Sequence, residues 1–135
     1  AGLAAIVAEE LDADWSRVSV EQAPANAKLY ANLGMGVQGT GGSTAMANSH
    51  EQMRRAGATA RAMLVDAAAA EWKVPAAEIT VTKGTIRHAA SKKEASFGQM
   101  ADKAAKLPVP AEAKLIRPRF WRPWASSSAR VAGSR

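Results

Sequence analysis

Residues 38–72 read QGTGGSTAMANSHEQMRRAGATARAMLVDAAAAEW, a glycine-rich turn that runs directly into the most regular helical pattern of the chain. Met53, Gly57, Ala60, Leu64 and Ala68 recur at three and four residues, while Glu51, Arg54, Arg55 and Asp66 lie largely elsewhere around the wheel. One long central helix with a single apolar stripe follows, ending near Trp72. Ser49 and Gln52 have capping-box spacing, and the first turn can begin as early as Ser43.

On the N-terminal side, Leu3, Ile6, Val7, Glu10 and Leu11 space a short amphipathic helix, closed by Asp12-Ala13-Asp14, with Trp15 expected beneath its end. Val18 and Val20 alternate with polar neighbours and predict a strand over 17–21. Residues 24–42 read as a long loop, with Pro24, Asn26, Asn32 and five glycines, and a loop of that length in a compact domain is usually functional or disordered. On the C-terminal side, the β-branched run 79–82, the turn Lys83-Gly84 and residues 85–88 predict a hairpin. A polar loop around Ser91-Lys92-Lys93 and a short helix over 97–106 complete the body. The order helix, strand, loop, helix, hairpin, helix is that of an α+β fold, a long central helix with short strands and a hairpin.

With no cysteine, the chain can form no disulfide, thiolate metal site or iron–sulfur ligation. No apolar run approaches the roughly 18 to 20 residues of a membrane span. Much of its 47% hydrophobic content is alanine, so the core is expected to be thin and to need a partner or further sequence. The chain also starts without Met inside a helical pattern, which reads as a fragment boundary. The net charge of +6 is uneven: 12 basic and 11 acidic residues up to Lys106, then six basic residues against Glu112 alone. A surface that tracks phosphates needs its cations on the folded part, so the basic excess concerns the tail. There, Phe120-Trp121-Arg122-Pro123-Trp124 and a serine-rich end show neither helical nor strand period. The domain division is therefore 1–110 for the body and 111–135 for a basic aromatic tail, expected to be disordered or non-native, with a frame shift or junction near Ile116 as one explanation.

Gln38-Gly39-Thr40-Gly41-Gly42-Ser43-Thr44 is the sharpest local feature. Glycines let backbone approach a ligand, and the first amides of a helix lack internal partners, so amides and hydroxyls here can cradle a phosphate or pyrophosphate. An ordinary loop with a helix cap has the same composition. No lysine follows the last glycine, as a P-loop requires, and no βαβ unit surrounds the motif.

Several runs together carry a family resemblance: Ala4-Ala5-Ile6-Val7-Ala8-Glu9-Glu10-Leu11-Asp12, Val18-Ser19-Val20-Glu21-Gln22-Ala23-Pro24, Thr40-Gly41-Gly42-Ser43-Thr44, Arg54-Arg55-Ala56-Gly57-Ala58-Thr59-Ala60-Arg61, Trp72-Lys73-Val74-Pro75-Ala76 and Ile79-Thr80-Val81-Thr82-Lys83-Gly84. In this order they resemble the large subunit of the isoquinoline 1-oxidoreductase and aldehyde dehydrogenase type, within the xanthine dehydrogenase and aldehyde oxidase superfamily of molybdenum hydroxylases. The resemblance covers the chain to roughly Pro110. It implies part of a molybdopterin-binding domain, with Gly41, Gly42 and Ser43, and less directly Thr40 and Thr44, contacting a molybdopterin cofactor, in bacteria typically its cytosine dinucleotide form. Ala45 stands where relatives often place a serine.

The resemblance further implies a parent subunit that oxidises aldehydes or N-heterocycles, with a [2Fe-2S] small subunit and the rest of the large subunit as partners; the location is left open between bacterial cytoplasm and periplasm. Two family landmarks, a Gly-Gln-Gly segment and a general-base glutamate, fall before and after this stretch, so the chain alone is expected to be inactive and not to retain the cofactor. No catalytic or metal-ligating residue is assigned.

The alternative is a small basic module in which Arg117, Arg119 and Arg122 with Phe120, Trp121 and Trp124 contact nucleic acid or an acidic membrane surface. On the main reading no nucleic acid is expected. His50 and His88 lack neighbours at ligand spacing and read as surface or capping residues. Ser43 and Ser49 lack an identifiable base. Arg54, Arg55 and Arg61 read as a solvated helix face, and Met46, Met53 and Met63 as packing or interface residues.

Overall fold

The computed structural model describes residues 2–116. Helix α1 spans Gly2–Leu11, a 3-10 turn Trp15–Arg17, the one-turn helix α2 Ala27–Tyr30, and the 29-residue helix α3 Thr44–Trp72. Strands β1 (Ile79–Thr82), β2 (Thr85–His88) and β3 (Lys93–Ser96) form an antiparallel meander, followed by α4 (Phe97–Ala104). The α+β class and the long central helix are as the sequence predicts.

The register explains which side chains are buried. Ile79 faces His88 and Val81 faces Ile86 across β1 and β2, and Ile86 faces Ala95 across β2 and β3. With a side-chain period of two, these residues share one face, which lies on Leu64, Ala67 and Ala68 of α3 and on Met100 and Ala104 of α4. Ala68 and Ile86 are fully enclosed. Lys83 and Gly84 both take positive φ, 47° and 74°, the pair of left-handed residues that a two-residue hairpin needs to match strand twist. This turn is docked to the end of α1, since the Gly84 amide donates to the Asp12 carbonyl at 2.7 Å.

Helix α1 lies close on α3 because Gly57 offers no side chain. A Cβ there would sit 2.8 Å from the Val7 carbonyl and 2.8 Å from the Glu10 Cβ. Beside this contact Glu10 is buried, and its carboxylate accepts from Arg54 Nε at 2.6 Å and from the Ile116 amide at 2.7 Å. Arg54 also donates to the Ile116 carbonyl at 2.7 Å. The segment after α4 is thereby tied to the α1–α3 pair at residue 116.

Three local expectations are corrected. Residues 18–21 form no strand: Asp14 accepts from both the amide and hydroxyl of Ser16, folding 15–17 into a 3-10 turn, and no strand among the described residues lies beside the valines. Trp15 is about half exposed instead of packing beneath α1. The polar stretch 93–96 is a strand, an edge whose outward Glu94 pairs with Arg87. The basic aromatic residues Arg117, Arg119, Phe120, Trp121, Arg122 and Trp124 lie outside the described residues.

Candidate functional site

The glycine-rich loop enters α3 through two consecutive left-handed residues, Gly42 (φ 57°) and Ser43 (φ 61°). Ser43 occupies the cap position but its hydroxyl caps nothing; the Ala45 amide is instead taken by Thr40 Oγ1 at 3.3 Å, and the Thr44 amide by the Gly41 carbonyl at 3.1 Å. Helix α3 therefore begins at Thr44, and the Ser49–Gln52 box is not used. Thr40, Gly41, Gly42 and Ser43 are exposed, and Thr44 is half-buried.

Thr44 is turned inward. Its Oγ1 accepts from Asn32 Nδ2 at 3.2 Å and donates toward Met35 Sδ at 3.7 Å. Among the described residues, no hydrogen bond uses the amides of Gly41, Gly42 or Ser43, or the hydroxyl of Ser43. Nothing lies within 4 Å of where a Cβ would stand on Gly39 or Gly42. The result is an open ledge of neutral N–H and O–H donors at the positive end of a long helix dipole. Donors of this kind suit the oxygens of a phosphate, and residues 38–44 include no carboxylate, imidazole or thiolate. Of the five predicted residues, the structure presents Thr40 to Ser43 and withdraws Thr44.

What holds the ledge was not visible in the sequence. Asn32, 6% exposed, uses every polar group it has: its amide donates to the Val37 carbonyl, its carbonyl accepts from Met35 and Gly36, its Oδ1 accepts from Gly34, and its Nδ2 reaches Thr44. Leu33 is fixed by Asn48 Oδ1 at 3.0 Å. Gln38 bridges back to the Asn26 amide and the Pro24 carbonyl. The hint was an asparagine ahead of closely spaced glycines, a pattern that favours side-chain-closed turns.

Other candidates lie elsewhere. His88 is buried, not at the surface as expected, because its register puts it on the inner face of β2. Its Nδ1 meets the amide and hydroxyl of Ser91, so the neutral ring carries its proton on Nε2, 2.9 Å from Glu78. His50 is exposed, and no group of three or more His, Asp or Glu among the described residues could hold a metal. Arg54 is not a solvated residue but the partner of Glu10, whereas Arg55 is exposed and pairs with Glu51. Three carboxylates are held below their usual range, Asp14 by its Ser16 hydrogen bonds, Glu51 by Arg55 and Glu71 by Lys103, and none of them is in the loop. A shallow cleft of about 230 Å³ lies between α3 (Glu51, Arg55, Thr59) and residues 111–115, away from the loop. The ledge can thus touch one side of a ligand and cannot enclose it.

The sequence model of the molybdopterin cofactor-binding domain family matches residues 1–133. The subunit beta of isoquinoline 1-oxidoreductase from Brevundimonas diminuta is 45% identical over 95 residues, which are 70% of this chain and 12% of that protein. No helix among the described residues is long and apolar enough to cross a membrane. Neither comparison supports a nucleic-acid or membrane-surface module built on the tail.

Proposed function

The chain belongs to the molybdopterin cofactor-binding domain family, and from that membership we propose that residues 40–44 form one wall of a molybdenum-cofactor site in the large subunit of a molybdenum hydroxylase. The observation that carries the assignment to this loop is the exposed, unsatisfied set of donors at Gly41, Gly42 and Ser43, with the Thr40 hydroxyl beside them, on a hydrogen-bonded frame. When bound, the cofactor supplies the redox chemistry by which an aldehyde or N-heterocycle is hydroxylated. The chain's own part is to hold and orient. Amides of Gly41 to Ser43 donate to phosphate oxygens, the Ser43 hydroxyl adds a donor free to rotate, and the α3 dipole favours the negative charge. Thr44 acts one step back, keeping the ledge joined to Asn32.

The cytosine dinucleotide form of the cofactor is the finer reading, which the family resemblance implies for bacterial members. A [2Fe-2S] small subunit and the remainder of the large subunit complete the proposed assembly, since the chain has no cysteine to ligate a cluster. The 135-residue chain alone is expected to retain no cofactor, because its ledge covers a single side.

The test is an amide NMR titration of the chain with inorganic pyrophosphate. Weak binding, with Kd near ~1 mM, is expected from a few neutral donors, equivalent to about 4 kcal/mol. The shifts should concentrate on residues 40–46 and be abolished by Gly42→Val, which places a β-branched side chain at positive φ. Shifts centred elsewhere, or unchanged by that substitution, would refute the assignment.

A further inference from the structure

Between Lys28 and Glu51 the sequence contains no Asp, Glu, Lys or Arg, a gap of 22 residues in a chain that is 22% charged. The same stretch displays large apolar side chains: Leu29 is 69% exposed and Leu33 75%, and Tyr30, Met35, Val37 and Met46 are exposed as well. They are not on a loose strand. Leu33 and Met35 donate their amides to Asn48 and Asn32, Val37 gives its carbonyl to Asn32, and Met35 lies against Thr44 and Gly41. A hydrogen-bonded, uncharged, apolar surface has the composition of the centre of a protein interface, where charged residues are depleted and methionine and aromatics enriched. It also needs little ordering when covered.

We infer that the 29–46 segment is a docking face for the remainder of the same subunit, meeting it through an uncharged apolar surface. Two observations favour this occupant over a second copy. The matched residues are only 12% of the length of the Brevundimonas relative, so most of such a subunit lies outside them. The apolar side chains also border the cofactor ledge, with Met35 beside Gly41 and Thr44, and a ledge that touches one side of a ligand needs the rest of the subunit on the other. The inference rests on the reading of the chain as part of a larger molybdenum hydroxylase subunit.

The experiment co-expresses the tagged 135-residue chain with the Brevundimonas subunit beta lacking its 95 matched residues, and measures co-purification. Leu33→Glu/Val37→Glu charges the face at exposed positions, so the fold should survive, as circular dichroism would verify. Val109→Glu charges an exposed apolar residue outside the segment. The expected result is capture by the wild-type chain, a loss of at least tenfold in the double variant, no loss in V109E, and slower amide exchange over 29–46 in the complex. Equal capture by all three chains, without exchange protection, would overturn the docking face while leaving the subunit reading intact. No capture by a folded wild-type chain, when circular dichroism shows the truncated Brevundimonas subunit folded as well, would overturn both. Wild-type dimers that become monomers on charging the face, with no capture, would assign it to a second copy and overturn the proposal.

Discussion

Substituting Glu10 should destabilise the whole body, although it lies far from the loop. The Glu10 side chain is 4% exposed and its two oxygens are divided between Arg54 Nε and the Ile116 amide. Removing one member of a buried ion pair typically costs about 3 to 5 kcal/mol, because the other is left desolvated and unpaired. Arg54 is 19% exposed and keeps its bond to the Ile116 carbonyl, so part of its charge can be hydrated. Glu10→Ala should therefore fall near or below the bottom of that range, about 2 to 3 kcal/mol. Arg54→Ala leaves the more enclosed carboxylate and should cost more, about 3 to 4 kcal/mol. The double variant should cost less than the two singles together, with a coupling of about 1.5 kcal/mol or more, since each single already abolishes the pair. Urea unfolding of the four proteins of the cycle, followed by circular dichroism, measures this. Single losses below about 0.5 kcal/mol that simply add would refute the idea that this buried knot joins residue 116 to the α1–α3 pair.

Two glycines should respond with opposite signs. Gly57→Ala places a Cβ 2.8 Å from the Val7 carbonyl, an atom that cannot yield, so overpacking of about 1 to 3 kcal/mol should outweigh the helix-propensity gain. Gly98→Ala in α4, where the nearest atom is 4.0 Å away, should stabilise by about 1 kcal/mol, and thermal unfolding of the two variants checks the contrast. Glu71 is held below its ordinary value by the Lys103 hydrogen bond, so the contribution of this pair is present above the unfolded glutamate pKa and is lost as pH falls through the lower folded value. A carboxyl ¹³C titration should show the lowering in the wild type and its disappearance in Lys103→Met.

The elements legible in the sequence were those whose signal is local. The period of α3 and the Lys83-Gly84 turn between β-branched runs each occupy a few consecutive residues and matched the fold. Strand β3 was missed because a solvent-facing edge strand needs few apolar residues, and only Ala95 enters the core. The alternation at 18–20 was over-read because a period of two defines a face but supplies no neighbouring strand to bond with. For the candidate loop, glycine and hydroxyl content singled out residues 40–44, and composition alone did not show that the Thr44 hydroxyl is turned inward. Its actual partner, Asn32, is twelve residues away, and Glu10 and Arg54 are 44 apart. The first follows from how the loop folds back on the start of α3 and the second from the packing of α1 on α3, and neither has a short-range signature.

The loop segment shows why the missing information matters for binding. Fixing a free backbone residue costs about 1 to 2 kcal/mol, so ordering a mobile seven-residue loop would cost more than a few neutral hydrogen bonds to a phosphate return. Here Asn32, Gln38, Thr40 and Thr44 turn their polar groups into the frame and close it before any ligand arrives. The donors left over, at Gly41, Gly42 and Ser43, are those the frame cannot use. Removing a frame bond should then weaken pyrophosphate binding without touching the ledge itself. Asn32→Ala removes the bonds to Gly34 and Thr44, and should speed amide exchange across 32–45 and raise the pyrophosphate Kd severalfold, while the exchange of Ala68 and Ile86 in the core stays unchanged. Unaltered binding together with faster loop exchange would mean that the ledge does not depend on its frame, and that preorganisation is not what the buried asparagine provides.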